Sequence, residues 1–203
     1  MAKIDLNSMD TTYMDVLREI GNIGSGNATT ALAQMLNRKI DMSVPHVALL
    51  GFDRITELIG SEEDLILGIL FGIEGDISGM MMFLMKPESA HNLTNALLCS
   101  DNHTEEFTEM ELSAINEIGN IISGAYLNSI ATLTNLKIIT TVPSTTIDMA
   151  GAILSVPAIE FGKIGDKVLM IETQMGEGES INGYFLLIPD LDSYDKILTA
   201  LHV

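Results

Sequence analysis

A short polar pattern is written twice in this chain, 98 residues apart. Asp15, Glu19, Asn22 and Pro45 return as Ser113, Glu117, Asn120 and Pro143. Each copy reads as a small polar residue, three positions, Glu, two positions, Asn, twenty-two positions, Pro. Between the polar positions the match is nearly literal, Glu19-Ile20-Gly21-Asn22-Ile23 against Glu117-Ile118-Gly119-Asn120-Ile121. The offset is close to half of the 203 residues. Self-similarity at a fixed period constrains a fold more than any local propensity. It predicts a duplicated unit that carries two versions of one surface.

The repeat has helical phasing. Residues from about Ser8 to Asn37 read as a helix, with Ser8 or Thr11 as its N-cap. At about 100° per residue, Asp15, Glu19, Asn22, Gly26 and Ala33 share one narrow face. Tyr13, Leu17, Ile20, Gly24, Ala31 and Met35 fall on the other, which predicts one buried side and one polar strip. In the second copy the strip is Ser113, Glu117, Asn120, Gly124 and Ala131.

An extended stretch follows each helix, Lys39–Val44 and Lys137–Val142, and leads to the proline. Proline lacks an amide hydrogen, so it suits a strand end or edge. Apolar strands are then predicted at Leu65–Phe71 and Ile77–Met85 around the turn Glu74-Gly75-Asp76. Their counterparts are Val168–Thr173 and Ile181–Ile188 around Gly176-Glu177-Gly178-Glu179. Helices opening near prolines, Pro87 to Leu98 and Pro189 to His202, close the halves. Each repeat is helix, strand, connecting segment, hairpin, helix.

The fold class is therefore α/β of the α+β type. An internal duplication with a pseudo-two-fold gives a central, largely antiparallel sheet flanked by helices. Residues 1–203 read as one domain of two repeats, about 8–99 and 106–203, because no Pro/Ser-rich linker separates the halves and the intervening Ser100–Thr108 is short and polar.

A chain that is 47% hydrophobic can bury a substantial core. Its net charge of −18 repels phosphate backbones and anionic lipids, which argues against nucleic acid and membrane partners. The carboxylates gather at Glu62-Glu63-Asp64, Glu105-Glu106 and Glu177-Gly178-Glu179, which read as solvated loops. The single cysteine, Cys99, has no partner for an internal disulfide and reads as a packing residue at a helix end. The start, Met1-Ala2-Lys3-Ile4-Asp5, has no apolar signal core. No apolar run approaches the roughly 18 residues of a spanning helix. A cytoplasmic, soluble protein is expected.

Several familiar chemistries fail on spacing. Gly21, Gly24 and Gly26 lack both the dinucleotide fingerprint, since Thr29 stands where its last glycine belongs, and the Gly-Lys-Ser/Thr of a phosphate loop. Within a helix each glycine costs up to about 1 kcal/mol against alanine. A close helix crossing, or close approach of a partner at Gly26 and Gly124, would account for them. His46, His91, His103 and His202 are scattered, so no metal site and no cofactor of its own are expected. Met80-Met81-Met82 with Met85 reads as adaptable strand packing.

Glu19 with Asn22, and Glu117 with Asn120, are different. A single copy could be two solvated surface residues. Two copies at the same spacing, with the same flanking Ile-Gly and a proline at the same distance, argue for a site. Such a ridge supplies no nucleophile and base. Its carboxylate can pair with a cation of a docked partner. Its uncharged amide offers a donor and an acceptor and can hold a water in line with an electrophile, as a glutamine does in small GTPases. The pair makes sense as half of an active site that a partner completes.

At these residues the chain resembles the CheC/CheX/FliY family of CheC-type phosphatases, whose motif Asp/Ser-x3-Glu-x2-Asn-x22-Pro both copies match. With two complete motifs and no added flagellar-switch domain, it is most similar to the CheC branch. The resemblance implies phosphorylated CheY as substrate, with the aspartyl phosphate and Mg²⁺ belonging to that partner. Asn22 and Asn120 would orient the attacking water. Glu19 and Glu117 would pair with the regulator's active-site lysine, and Asp15, Ser113, Pro45 and Pro143 would support them. It also implies a contact with the receptor deamidase CheD around Ile147–Leu154, with Asp148 the residue to test. A monomer is expected. The alternative is a non-catalytic adaptor that binds phosphorylated CheY or regulates CheD; intact asparagines in both copies favour catalysis.

Overall fold

Among the described residues, seven strands make one sheet in which every pair is antiparallel. The computed structural model describes residues 11–36, 39–100, 106–161, 168–175 and 181–201. The first half runs α1 (Thr11–Leu36), β1 (Met42–Leu50), α2 (Phe52–Ile59), β2 (Leu65–Gly75), β3 (Gly79–Met85) and α3 (Pro87–Leu98). The second runs α4 (Glu109–Thr134), β4 (Ile138–Thr140), β5 (Ser144–Met149), α5 (Ala150–Phe161), β6 (Val168–Met175), β7 (Ile181–Pro189) and α6 (Leu191–Ala200).

The strand order is β1-β6-β7-β3-β2-β4, with β5 also on β2. Exchanging each strand for its counterpart in the other half reverses this order and leaves it unchanged, which is the expected pseudo-two-fold. Phe83 opposite Phe185 lies at the central β3–β7 pair. The halves also exchange strands. β1 of the first half pairs with β6 of the second, and β4 and β5 of the second pair with β2 of the first. Val47 opposite Ile171 is matched by Thr145 opposite Ile69.

Helices cover both faces, so the central strands are apolar on both. Met81, Phe83 and Met85 face the layer that contains Leu17, Ile20, Ile118 and Ile122. Met80, Met82 and Leu84 face Ile55, Ile59, Ile153 and Leu154 of α2 and α5. The methionine run is strand packing, as expected.

Several local expectations are corrected. The connecting segments hold α2 and α5. β1 does not end at Pro45 but passes it through an irregularity between Ser43 and His46, on an edge strand where a missing amide hydrogen is tolerated. In the second copy the strand breaks around Pro143 into β4 and β5. Pro189 ends β7, and Asp190 caps α6 by accepting from the Ser193 amide at 2.7 Å. Cys99 is exposed and closes α3 in the left-handed conformation, φ 50°, instead of packing. Met35, in the last turn of α1, is 44% exposed, while Ala28 and Leu32 complete the buried stripe. Thr11 is already helical. Ser8, Asn37, Glu105, residues 176–179, His103, His202 and the side chain of Tyr13 lie outside what is described.

Candidate functional site

The two motifs lie on α1 and α4, which pack against each other over the sheet. In α1, Leu17 and Ile20 are buried while Asp15, Glu19, Asn22 and Gly26 are exposed. In α4, Ile115, Ile118 and Ile122 are buried while Ser113, Glu117 and Asn120 are exposed. The helical period therefore turns both Glu/Asn pairs outward. Thr108 starts α4 with a capping box: its hydroxyl accepts from the Glu111 amide, and the Glu111 carboxylate accepts from the Thr108 amide.

The constant spacing to proline has a geometric cause. From Asn22 the helix runs on for 14 residues to Leu36, about 21 Å. The chain then turns back as β1. A Cβ built on Gly21 would meet Val47 at 3.3 Å, Val44 at 3.5 Å and Ile171 at 3.7 Å. The absent side chain of Gly21 thus lets the Pro45-bearing strand lie beside the residue preceding Asn22. Asn22 borders a cavity of about 210 Å³ with Arg18, Val44 and His46. At the second copy a Cβ on Gly119 would come 2.4 Å from Ile69 Cδ1. Pro143 there lines a cavity of about 660 Å³ together with Leu112, Asn116 and Thr145. The ring of Pro45 is not among the described side chains.

Each helix therefore sits on a strand of the other half, Gly21 over Ile171 and Gly119 over Ile69. Both sites are composite, and neither half positions its motif alone. The sequence reading missed the residues before the glutamates, Arg18 and Asn116, although they are equivalent by the same offset. Arg18 donates to Asp15 at 3.0 Å in an exposed pair, an arrangement worth about 0–1 kcal/mol. Asn116 instead accepts from the Thr145 hydroxyl, which fastens α4 to β5. The two copies share their exposed Glu/Asn pair and differ in what stands beside it.

Asp148 lies elsewhere. It pairs with Ile66 across β5 and β2, and cross-strand partners share a face. Ile66 packs with α2 and α5, so Asp148 is on the face opposite the motif helices. It is exposed, and its carboxylate accepts from the Met149 amide at 2.8 Å.

The expected close helix crossing falls at Gly24, where a Cβ would meet Tyr126 Cδ1 at 2.3 Å. At Gly26 and Gly124 a Cβ would meet nothing within 4 Å. Among the described residues, no three His, Cys, Asp or Glu gather as a metal cluster. No described helix is long and apolar enough to cross a membrane.

The model of the CheC-like family matches residues 13–49 and 110–147, the two stretches that hold the motifs and their prolines. Over 201 residues the chain is 36% identical to the CheY-P phosphatase CheC of Bacillus subtilis (strain 168), covering 96% of each. The chain belongs to the CheC-like family. Solved structures agree on the CheC-like fold. Thermotoga maritima FliY has a TM-score of 0.75 at 21% identity, covering 96% of this chain and 98% of that one. In the CheX-CheY-BeF3-Mg²⁺ complex from Borrelia burgdorferi, the matched chain has a TM-score of 0.53 at 16% identity, covering 86% of this chain and 97% of that one.

Proposed function

We propose that this protein is a phosphatase of phosphorylated CheY, acting as a monomer, a single unit of two repeats, with two active sites. The observation that carries this reading is the doubled, outward-facing Glu/Asn ridge on a chain 36% identical to a CheY-P phosphatase over nearly its whole length. A ridge with no nucleophile of its own suits a reaction whose phosphoryl group and Mg²⁺ arrive on the partner.

In this reading the regulator docks across α1 or α4. Asn22 or Asn120 accepts and donates hydrogen bonds that hold a water in line with the aspartyl phosphate. Glu19 or Glu117 pairs with the regulator's lysine and fixes the distance between the amide and the phosphorus. Positioning of this kind, without covalent chemistry on the protein, is sufficient for phosphoryl transfer to water. Asp15 with Arg18, and Ser113 with Asn116, flank the ridge, and the Pro45-bearing strand β1 and the break at Pro143 between β4 and β5 wall the adjoining cavities. CheY as partner is supported by the B. subtilis relative, a CheY-P phosphatase, and by a protein of like fold that is solved in complex with CheY.

A second partner surface, suited to CheD, is supported by exposed apolar residues around Asp148. On the side of the sheet that Asp148 shares with α5, Val156 and Ile159 are 45% and 76% exposed, whereas Ile147 and Met149 alternate with Asp148 along β5 and belong to the motif side. Ile153 and Leu154 from the expected segment are buried in the core and cannot take part directly.

The test of the enzyme reading is the decay of phosphorylated regulator in excess Mg²⁺. Acceleration by sub-stoichiometric protein is the expected result. Slowed or unchanged decay, with binding retained, would make the protein an adaptor.

A further inference from the structure

Gly26 and Gly124 are the part of the repeated strip that the fold leaves unexplained. The other glycines of the motif helices have steric reasons. Gly21 and Gly119 let the helices settle on Val47, Val44 and Ile69, and Gly24 makes room for the Tyr126 ring. Gly26 and Gly124 touch nothing where a Cβ would stand. Both lie deep inside 26-residue helices, where glycine is the poorest non-proline helix former. Both occupy the same place, four residues beyond the motif asparagine and seven beyond the glutamate. On a helix those spacings keep all three positions on one ridge, with the glycine about 6 Å further along the axis than the asparagine.

We propose that Gly26 and Gly124 are clearance points in the docking footprint, where the backbone of the phosphorylated regulator comes against the bare helix. This rests on the phosphatase reading above and extends its site by one turn. A partner seated on the glutamate and the asparagine needs to extend only about 6 Å further along the same ridge to meet the glycine. A side chain there would hold the two surfaces apart and draw the amide away from the phosphoryl group. Because the reaction depends on the placement of one water, a displacement of about 1 Å would lower turnover on the order of a hundredfold. The glycines are therefore positioning residues, not catalytic ones.

The test uses the full chain with Gly26→Gln and Gly124→Gln, alone and together, beside the Gly26→Ala, Gly124→Ala pair. Glutamine and alanine are both good helix formers, and the space around both positions is open, so the variants should melt at or above the parent temperature. The double Gln variant should dephosphorylate the regulator at least tenfold more slowly. It should also bind a beryllofluoride-loaded regulator at least tenfold more weakly, with the Ala pair at least threefold slower than the parent. Each single Gln variant should lose one site's share. A folded double Gln variant with the parent's rate and affinity would overturn the proposal. Asn22→Ala with Asn120→Ala in the same assay separates the failures. If those changes also leave turnover intact, the phosphatase reading itself is wrong. If they abolish it while the Gln pair has no effect, only the clearance role is lost.

Discussion

A Cβ on Gly24 would stand 2.3 Å from Cδ1 of Tyr126, so the two motif helices cross with a glycine flat against an aromatic ring. Tyr126 is fully buried, stacks on Phe185 with centroids 4.6 Å apart, and shares a 3.1 Å hydrogen bond with Thr173. It ties α4 to β6 and β7 under the crossing. The pseudo-symmetric positions are Ile122 and Ala28, both buried. Gly24 with Tyr126, and Ala28 with Ile122, thus each combine one small and one large buried residue.

Gly24→Ala should destabilise the fold. Alanine gains up to about 1 kcal/mol in helix propensity. Displacing a ring held on three sides costs about 1–3 kcal/mol, as overpacking does. The penalty prevails, and urea denaturation should show a lowered midpoint at unchanged slope. A raised midpoint would mean that the ring yields freely and that the crossing is not tightly set.

Alkali should weaken the protein through its buried phenols. Burial pushes Tyr126 from the ordinary 10 up to about 12, with the Thr173 hydrogen bond opposing, and it raises Tyr194 and Tyr184 as well. The unfolded chain therefore loses these protons first as pH rises. The Tyr126 contribution is whole below pH 10 and is lost between 10 and about 12, on the order of 2–3 kcal/mol. Tyr126→Phe should cost about 0.5–1.5 kcal/mol at neutral pH, from the stranded Thr173 hydroxyl, and should flatten part of the alkaline decline. Melting temperatures from pH 8 to 11 check both. An unchanged alkaline slope in the Phe variant would remove Tyr126 from that decline.

The glutamates should act through docking charge. Glu19→Gln with Glu117→Gln keeps shape and a hydrogen-bonding group but removes the partner of a lysine. An ion pair closed off from water at an interface is worth more than an exposed one. The double variant should bind a phosphoryl-mimic regulator more weakly and with a smaller response to salt. Titration calorimetry at low and high salt is the check. Equal affinity for parent and variant would remove the ion pair from the account.

The sequence made the core and the ridge legible for one reason: the same spacing was kept twice. Short apolar runs between turn residues located β2, β3, β6 and β7, the period of 3.6 located the long helices, and the repeat showed which polar residues share a face. What stayed hidden depends on long-range partners. α2 is only eight residues long and is stable because Ile55 and Ile59 reach the core. α5 is apolar almost all round and carries Pro157, so it shows no amphipathic period. The exchange of motif strands between halves leaves no local mark, since β1 would look the same paired with either hairpin. Arg18 and Asn116 differ between copies, so the repeat does not single them out, and only the fold shows that one faces Asp15 and the other Thr145.

The most direct measurement compares decay of phosphorylated CheY in the presence of the parent, Asn22→Ala, Asn120→Ala and the double variant, at saturating Mg²⁺. Both asparagines are exposed, so folding stability should stay within about ±0.5 kcal/mol of the parent. Each single variant should keep part of the acceleration. The double variant should return decay to the regulator's own rate while still binding the phosphoryl mimic. A folded double variant that accelerates decay as the parent does would contradict the two-site water-positioning account.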